Sequence, residues 1–343
     1  MGGIPIRLGI AFLLAALPLA GVEAQTPEKR DVIIAIGGIS SQIDKLPYAI
    51  ARHRGYFKDE GLDAQCLDFG SGAKGLQAMI GGSADVTQGA YEHTVRMQAK
   101  GQDLQSFVAF ARYPGNVLAV VKARSGAVKK PEDFKGLKVG VTSPGSASHA
   151  FFGKYMQNAG LDPKQVSYIA VGAGPGAVAA VRRGGELDAI VSLDPVITEL
   201  ERSDDITIIA DSRTKEGTHQ VYGGDFIAGS LYAKAEFVKK NPNTVQAMAN
   251  AMIRAMKWME TASVDDVIAS VPEEYYRANE AAYRQAVERN LTAFRFDGRI
   301  TAENVQTVLE SIAVLEPELK AAPLDLSKTY TNEFVDRAHA KFK

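Results

Sequence analysis

The chain has 343 residues, 46% of them hydrophobic and 23% charged, which suits one large or two medium globular domains. A net charge of -1 removes any electrostatic ground for expecting nucleic acid or an anionic membrane as partner. Cys66 is the single cysteine, so no intramolecular disulfide forms, and it lies too far along the chain to carry a lipid near the N-terminus.

Arg7 precedes an apolar run from Leu8 to Ala20, and Val22-Glu23-Ala24 follows as a cleavage site of the A-x-A kind. This is the layout of a secretory signal peptide, so residues 1–24 are expected to be removed and the mature chain to begin near Gln25. The run is too short to span a bilayer comfortably. A freely diffusing protein in an exported compartment, the bacterial periplasm, is the expectation.

Asp31 to Ile36 is a β-branched run and the first strand, closed by Gly37-Gly38. Ser40, Ser41 and Gln42 follow in the loop at its carboxyl end, where open parallel sheets bind ligands. A helix around Tyr48 stops at Gly55, and Leu62 to Phe69 is the next strand. Gly70-Ser71-Gly72 then opens a helix whose Leu76, Met79 and Ile80 fall at i, i+3, i+4. Gly81-Gly82 ends it and Asp85-Val86 starts another strand, completing a βαβ unit.

Further strands are expected at Phe107 to Phe110, Val117 to Val121 and Leu137 to Val141, the last followed by a loop, Thr142 to Ser148, into a helix over 149–159. The βαβ pattern then returns: strand from Val166 to Val171, Gly172-Ala173-Gly174, helix, Gly184-Gly185, and a strand from Asp188. The Gly-Gly-x-x-Asp element at Gly81 to Asp85 recurs at Gly184 to Asp188, which points to two α/β lobes built on one plan. Ile206 to Ala210 is a strand, Asp211 to Asp225 is polar and glycine-rich, and Phe226 to Tyr232 regains strand character. The expected division is residues 25–121 plus 226–343 for lobe 1 and 122–225 for lobe 2, joined by a two-segment hinge. Beyond Asn243, Val245, Met248, Met252, Met256 and Met259 keep helical spacing as a core stripe, and helices near 274–291 and 301–315 are expected to cap lobe 1.

Gly70, Gly72 and Gly75 match G-x-G-x-x-G, but the match follows the second strand and a relaxed form recurs in the other lobe. Tight turns that aim backbone N–H groups at a ligand explain it better than a dinucleotide, and no cofactor is expected. The five histidines are scattered without metal-ligand spacing, no G-x-S-x-G elbow is present, and Cys66 lies mid-strand, so neither a metal site nor a catalytic residue is expected. Ser71 and Gly72, with Ser146, Ala147 and Ser148, stand at two helix starts that suit an anion; the serines serve equally well as plain helix caps.

Tyr48-Ala-Ile-Ala with Gly55-Tyr-Phe-Lys-Asp-Glu-Gly-Leu resembles a signature of ABC-transporter substrate-binding proteins of the nitrate/sulfonate/taurine type, which share a fold with thiamine-pyrimidine synthases. Gly81 to Val86, Asp133 to Val141, Gly160 to Pro163, Gly185 to Ala189, Asp194-Pro195 and Thr329 to Phe334 fit the same family, so the resemblance covers essentially all of the mature chain. It implies a two-lobed α/β periplasmic binding protein of the type II kind, each lobe a mixed, mostly parallel sheet flanked by helices. Such a receptor closes on a small molecule and delivers it to an ABC permease in the inner membrane; a monomer is expected. Carried onto matching positions, the ligand site holds Ser40, Ser41, Gln42, Ser71, Gly72, Thr87, Gln88 and Tyr91 from lobe 1. Lobe 2 adds Ser146, Ala147, Ser148 and Asp194, and Arg112 and Tyr222 are added from the crossing segments. Ser192-Leu193 stands where sulfonate and taurine receptors often carry a Trp, and the cysteine-rich motif of the pyrimidine synthases is absent. An anionic head on an organic body is the preferred ligand. The alternatives are an enzyme of the same fold, with Cys66 or His149 as the first residues to test, and a ligand-sensing subunit of a signalling system.

Overall fold

The computed structural model describes residues 26–294 and 297–342; the expected signal peptide, residues 1–24, lies outside them. In chain order the first segment is β1 (Asp31–Ile36), α1 (Leu46–His53), α2 (Tyr56–Asp59), β2 (Asp63–Asp68), α3 (Gly72–Ile80), β3 (Val86–Ala90), α4 (Glu92–Ala99) and β4 (Leu104–Ala109). The second is β5 (Val117–Val121), β6 (Lys138–Val141), α5 (Ala147–Asn158), β7 (Ser167–Ala170), α6 (Pro175–Arg182), β8 (Ala189–Ser192), α7 (Val196–Arg202), β9 (Ile206–Asp211) and α8 (Lys215–Tyr222). The chain then returns through β10 (Gly229–Lys234) to α9 (Ala235–Lys240), α10 (Pro242–Thr261), α11 (Val264–Ala269), α12 (Glu280–Phe294), α13 (Ala302–Ile312) and α14 (Glu333–Lys341).

Two five-stranded sheets result, in the orders β2-β1-β3-β10-β4 and β7-β6-β8-β5-β9. In each, the fourth strand runs antiparallel to its neighbours: β10 against β3 and β4, and β5 against β8 and β9. These two strands are the ones the chain enters on crossing between lobes, so the lobes share one plan with the crossing strand in the same place. The sequence reading left Val117–Val121 in lobe 1; its pairing with β8 and β9 assigns it to the second sheet, and the crossing lies between Ala109 and Val117. The return crossing, Gly223 to Ala228, runs beside the outward one: Ala228 N donates to Ala111 O at 3.2 Å.

The glycines of the G-x-G-x-x-G match have local structural reasons. Gly70 sits at φ +71°, a conformation that side chains disfavour, and a Cβ on Gly75 would come within 3.2 Å of the Gly37 Cα. Helix α3 therefore lies close on the end of β1. The Met stripe is core, as its spacing predicts: Met248, Met252, Met256 and Met259 are buried against Ile34, Ile50 and Phe107. The last helices do more than cap lobe 1. Val305, Val308 and Ile312 of α13 pack with Phe151 and Phe152 of α5, and Arg202 of α7 donates to Gln285 Oε1 of α12 at 2.9 Å. Asp211 to Asp225, read as a polar connection, contains α8, whose N-cap Thr214 accepts a hydrogen bond from Gly217 N at 3.1 Å.

Candidate functional site

The cleft between the sheets is lined from both lobes. Gly37, Gly89, Thr142 and Leu193 line it just beyond β1, within β3, and just beyond β6 and β8. The wall is thus built largely at the carboxyl ends of parallel strands, where a mostly parallel sheet places its ligand loops. Ala111, Pro114, Phe226 and Ala228 of the two crossing segments close its back.

Helix α5 supplies the lobe 2 floor. Its N-cap residue Ser146 makes no side-chain cap; its hydroxyl donates instead to Ser143 O at 2.7 Å. Thr142, Ser146 and Ser148 form a closed triangle of hydroxyls at 2.7, 3.0 and 3.0 Å, and Ser148 Oγ also accepts from Thr142 N at 3.0 Å. With those hydroxyls turned on one another, the first-turn amides of α5 are left for a ligand acceptor, and Ala147 and Ser148 both line the cleft. Across the gap Ser71 does cap α3, accepting from Lys74 N at 3.4 Å, and Gly72 lines the wall beside it. Gln42 is 3% exposed; its Oε1 accepts from Ile39 N at 3.1 Å, which leaves its amide N–H groups to offer. Tyr222 stacks on Phe226 at 4.1 Å, and both form an aromatic side of the cleft. Burial pushes the Tyr222 hydroxyl well above its ordinary value, so it is present as a neutral phenol.

Of the residues expected in the site, Gln42, Ser71, Gly72, Ser146, Ala147, Ser148 and Tyr222 line the cleft. The others lie off the lining. Ser40 bonds Asp68 through its N and Oγ at 3.0 and 2.5 Å, and neither it nor Ser41 reaches the wall. Thr87 donates to Gly75 O at 3.4 Å beneath α3, and Gln88 is fully buried next to it. Tyr91 is fully buried with its hydroxyl on Thr329. Arg112 holds Thr292 O at 3.2 Å and lies over Tyr113, 5.4 Å from the ring centre. Asp194 is 2% exposed and fully engaged: Thr198 N and Oγ1 donate to Oδ1, while Arg213 and Asn290 donate to Oδ2 at 3.2 and 2.8 Å. Its position is structural, tying lobes together, because Ile43 N of lobe 1 donates to its main-chain O at 3.1 Å.

The sequence reading missed the charged lining. Asp44, Lys45 and Glu92 all line the cleft, and so does the uncharged amide residue Asn116. Lys45 Nζ meets Asp44 Oδ2 at 2.6 Å while 4% of its side chain is exposed. Glu92 is 3% exposed and is held by Arg96 one helical turn on, which also reaches Glu316 at 2.5 Å. Burial alone would lower the Arg96 guanidinium's hold on its proton, but the two carboxylates outweigh it and raise that hold above the ordinary value. Behind the α3 wall sits His93, 1% exposed, with Nε2 3.2 Å from where a Cβ on Gly72 would lie. Burial, with Arg96 and Lys100 nearby, lowers its ring to about 3, so it is neutral. Among the described residues no group of three His, Cys, Asp or Glu side chains is placed to hold a metal.

The family described as NMT1/THI5 like matches residues 42–262, well over half of the chain. The chain belongs to the NMT1/THI5-like family. Within and around it, a solved structure from Bordetella bronchiseptica RB50 is 44% identical, with a TM-score of 0.89, covering 93% of this chain and 99% of that one. The periplasmic nitrate-binding protein NrtA of Synechocystis PCC 6803 is 14% identical with a TM-score of 0.73, covering 93% of this chain and 90% of its own; at that identity the likeness is one of fold. A 4-amino-5-hydroxymethyl-2-methylpyrimidine phosphate synthase of Schizosaccharomyces pombe is 24% identical over 308 residues, 84% of this chain and 82% of the synthase. The two-lobed architecture of this NMT1/THI5-like chain is that of the periplasmic binding proteins.

Proposed function

We propose that this NMT1/THI5-like protein is the solute receptor of an ABC importer, exported to the periplasm, where it captures a small organic molecule between its lobes and hands it to a membrane permease. The single observation that carries the reading is the uncapped first turn of α5, floored by its hydroxyl triangle and facing the lobe 1 wall across the cleft. Such a turn receives a carboxylate, sulfonate or similar acceptor head, while Tyr222 and Phe226 cover the organic body. Lobe closure coupled to binding follows from two crossing segments that run side by side.

The enzyme reading draws on the likeness to the pyrimidine phosphate synthase. The cleft supports it poorly. Cys66 lies outside the lining; burial, reinforced by the Asp68 charge, pushes its thiol up to about 12, so it is protonated and a weak nucleophile at neutral pH. His149 also lies outside the lining, its ring nitrogen accepting from Gly145 N at 3.1 Å. Thermal unfolding of the mature chain against carboxylates, sulfonates, nitrate and pyrimidines tests the proposal. A ligand at a thousand times its Kd stabilises by about 4 kcal/mol, a rise of several degrees. One ligand that shifts Tm and is recovered intact supports a receptor; turnover of that ligand overturns it.

A further inference from the structure

The cleft lining carries hydrogen-bond acceptors that have no donor among the described residues. Glu92 gives one carboxylate oxygen to Arg96, and no described residue donates to the other. Arg96 is shared with Glu316 on its far side, so the three groups together carry one formal negative charge. Asp44 gives Oδ2 to Lys45 and leaves Oδ1 buried without a partner. From the crossing segment opposite, Asn116, 1% exposed, presents a second buried oxygen, Oδ1, that no described group satisfies. Asp44 and Lys45 cancel, so the ionisable groups lining the cleft, with the partners that hold them, sum to minus one. A purely anionic ligand would meet a wall of its own sign. Buried acceptors are nearly always satisfied in folded proteins, and two from different segments lining one cavity mark a place where donors arrive with the ligand.

We propose that the molecule this cleft is built for carries a protonated amine or an amidine-like N–H group, received by Glu92, Asp44 and Asn116, in addition to the acceptor head placed at α5. The ligand is then amphoteric: one end accepts hydrogen bonds from a helix N-terminus, the other donates them to a carboxylate wall. The inference rests on the receptor reading and narrows it. Inorganic anions and amine-free sulfonates or carboxylates become poor ligands, because they leave the lobe 1 acceptors unmet.

The test is a library of matched pairs, each carboxylate or sulfonate with and without an amino or amidino group: taurine with isethionate, β-alanine with 3-hydroxypropionate, and longer and aromatic homologues. The full mature chain is screened by thermal unfolding and hits are titrated calorimetrically. Charge-assisted hydrogen bonds of this kind make the aminated member of a pair bind about tenfold to a hundredfold tighter. Glu92→Gln narrows that ratio by about tenfold; Asp44→Asn, which spares the Arg96 contact, is the second variant and narrows it in the same direction. An amine-free member that binds as tightly as its aminated partner overturns this inference and leaves the receptor reading standing. Absence of binding across every pair overturns both.

Discussion

Asn290 Nδ2 donates to Asp194 Oδ2 at 2.8 Å, and this bond joins α12 of lobe 1 to the loop that follows β8 of lobe 2. Both residues are buried, at 6% and 2% exposure, and Arg213 shares the same carboxylate at 3.2 Å. Removing the carboxylate leaves the buried Arg213 with Asp211 alone. Asp194→Ala is therefore expected to cost about 3–5 kcal/mol. Asn290→Ala, which leaves Asp194 its arginine, is expected to cost only about 1–3 kcal/mol. Urea denaturation of both variants and the double mutant measures this. Because the pair shares one contact, the double mutant falls short of the sum of the single losses.

Ala147 occupies the first position of α5 and is half-buried on the cleft wall. Ala147→Leu keeps the helix and puts three carbons where the proposed site would take the ligand head. The expected outcome is a loss of at least about 1.4 kcal/mol of ligand binding, tenfold in affinity, with folding stability changed by less than about 1 kcal/mol. Calorimetric titration beside a urea melt separates the two effects. A variant that binds ligand normally moves the site away from α5.

His93 makes the fold acid-sensitive. Its ring is lowered to about 3 by burial and by Arg96 and Lys100, whereas in the unfolded chain it titrates near 6.5. Between those values the unfolded chain takes up a proton that the folded chain refuses. Stability therefore falls as pH drops from 6.5 toward 3, by up to about 5 kcal/mol, and this group contributes no slope above that range. Burial lowers His53 and His149 as well, and their contribution has the same sign. Denaturation midpoints of wild type and His93→Gln between pH 4 and 7 read it directly; the variant shows the shallower slope.

Cys66 is held protonated, half-buried in β2, with the Tyr48 hydroxyl beside its sulfur. It is expected to react with a thiol reagent at pH 7 at least about a hundredfold more slowly in the folded protein than in urea. Cys66→Ala is expected to leave ligand affinity within about twofold. Fast native labelling with loss of ligand handling would revive Cys66 as a catalytic nucleophile.

How much of this was legible in the sequence depended on whether the signal was local. The β-branched runs of β1 and β8, the glycine stops and the Met stripe of α10 are set by neighbours along the chain, and each element lies where its pattern predicts. Sheet membership is not local: Val117–Val121 is an equally good apolar strand for either lobe, and only its pairing with β8 and β9 decides. The helix starts at Ser71 and Ser146 marked part of the cleft lining for the same local reason. Asp44, Lys45 and Glu92 were invisible, because charged residues in a helical pattern read as a solvated face until the opposing lobe buries them. Asp194 misled in the other direction: the family resemblance implied a ligand contact at its Asp-Pro pair, whereas here four groups already occupy its oxygens.

The chemical fate of the bound molecule tests the central claim most directly. A ligand that shifts Tm is incubated with the purified mature chain, the protein is then unfolded, and the released molecule is examined by NMR and mass spectrometry. The account predicts one molecule per chain, released unchanged, with no modified residue on the protein. A converted product, or a covalent adduct on the chain, would contradict it and establish an enzyme on this fold.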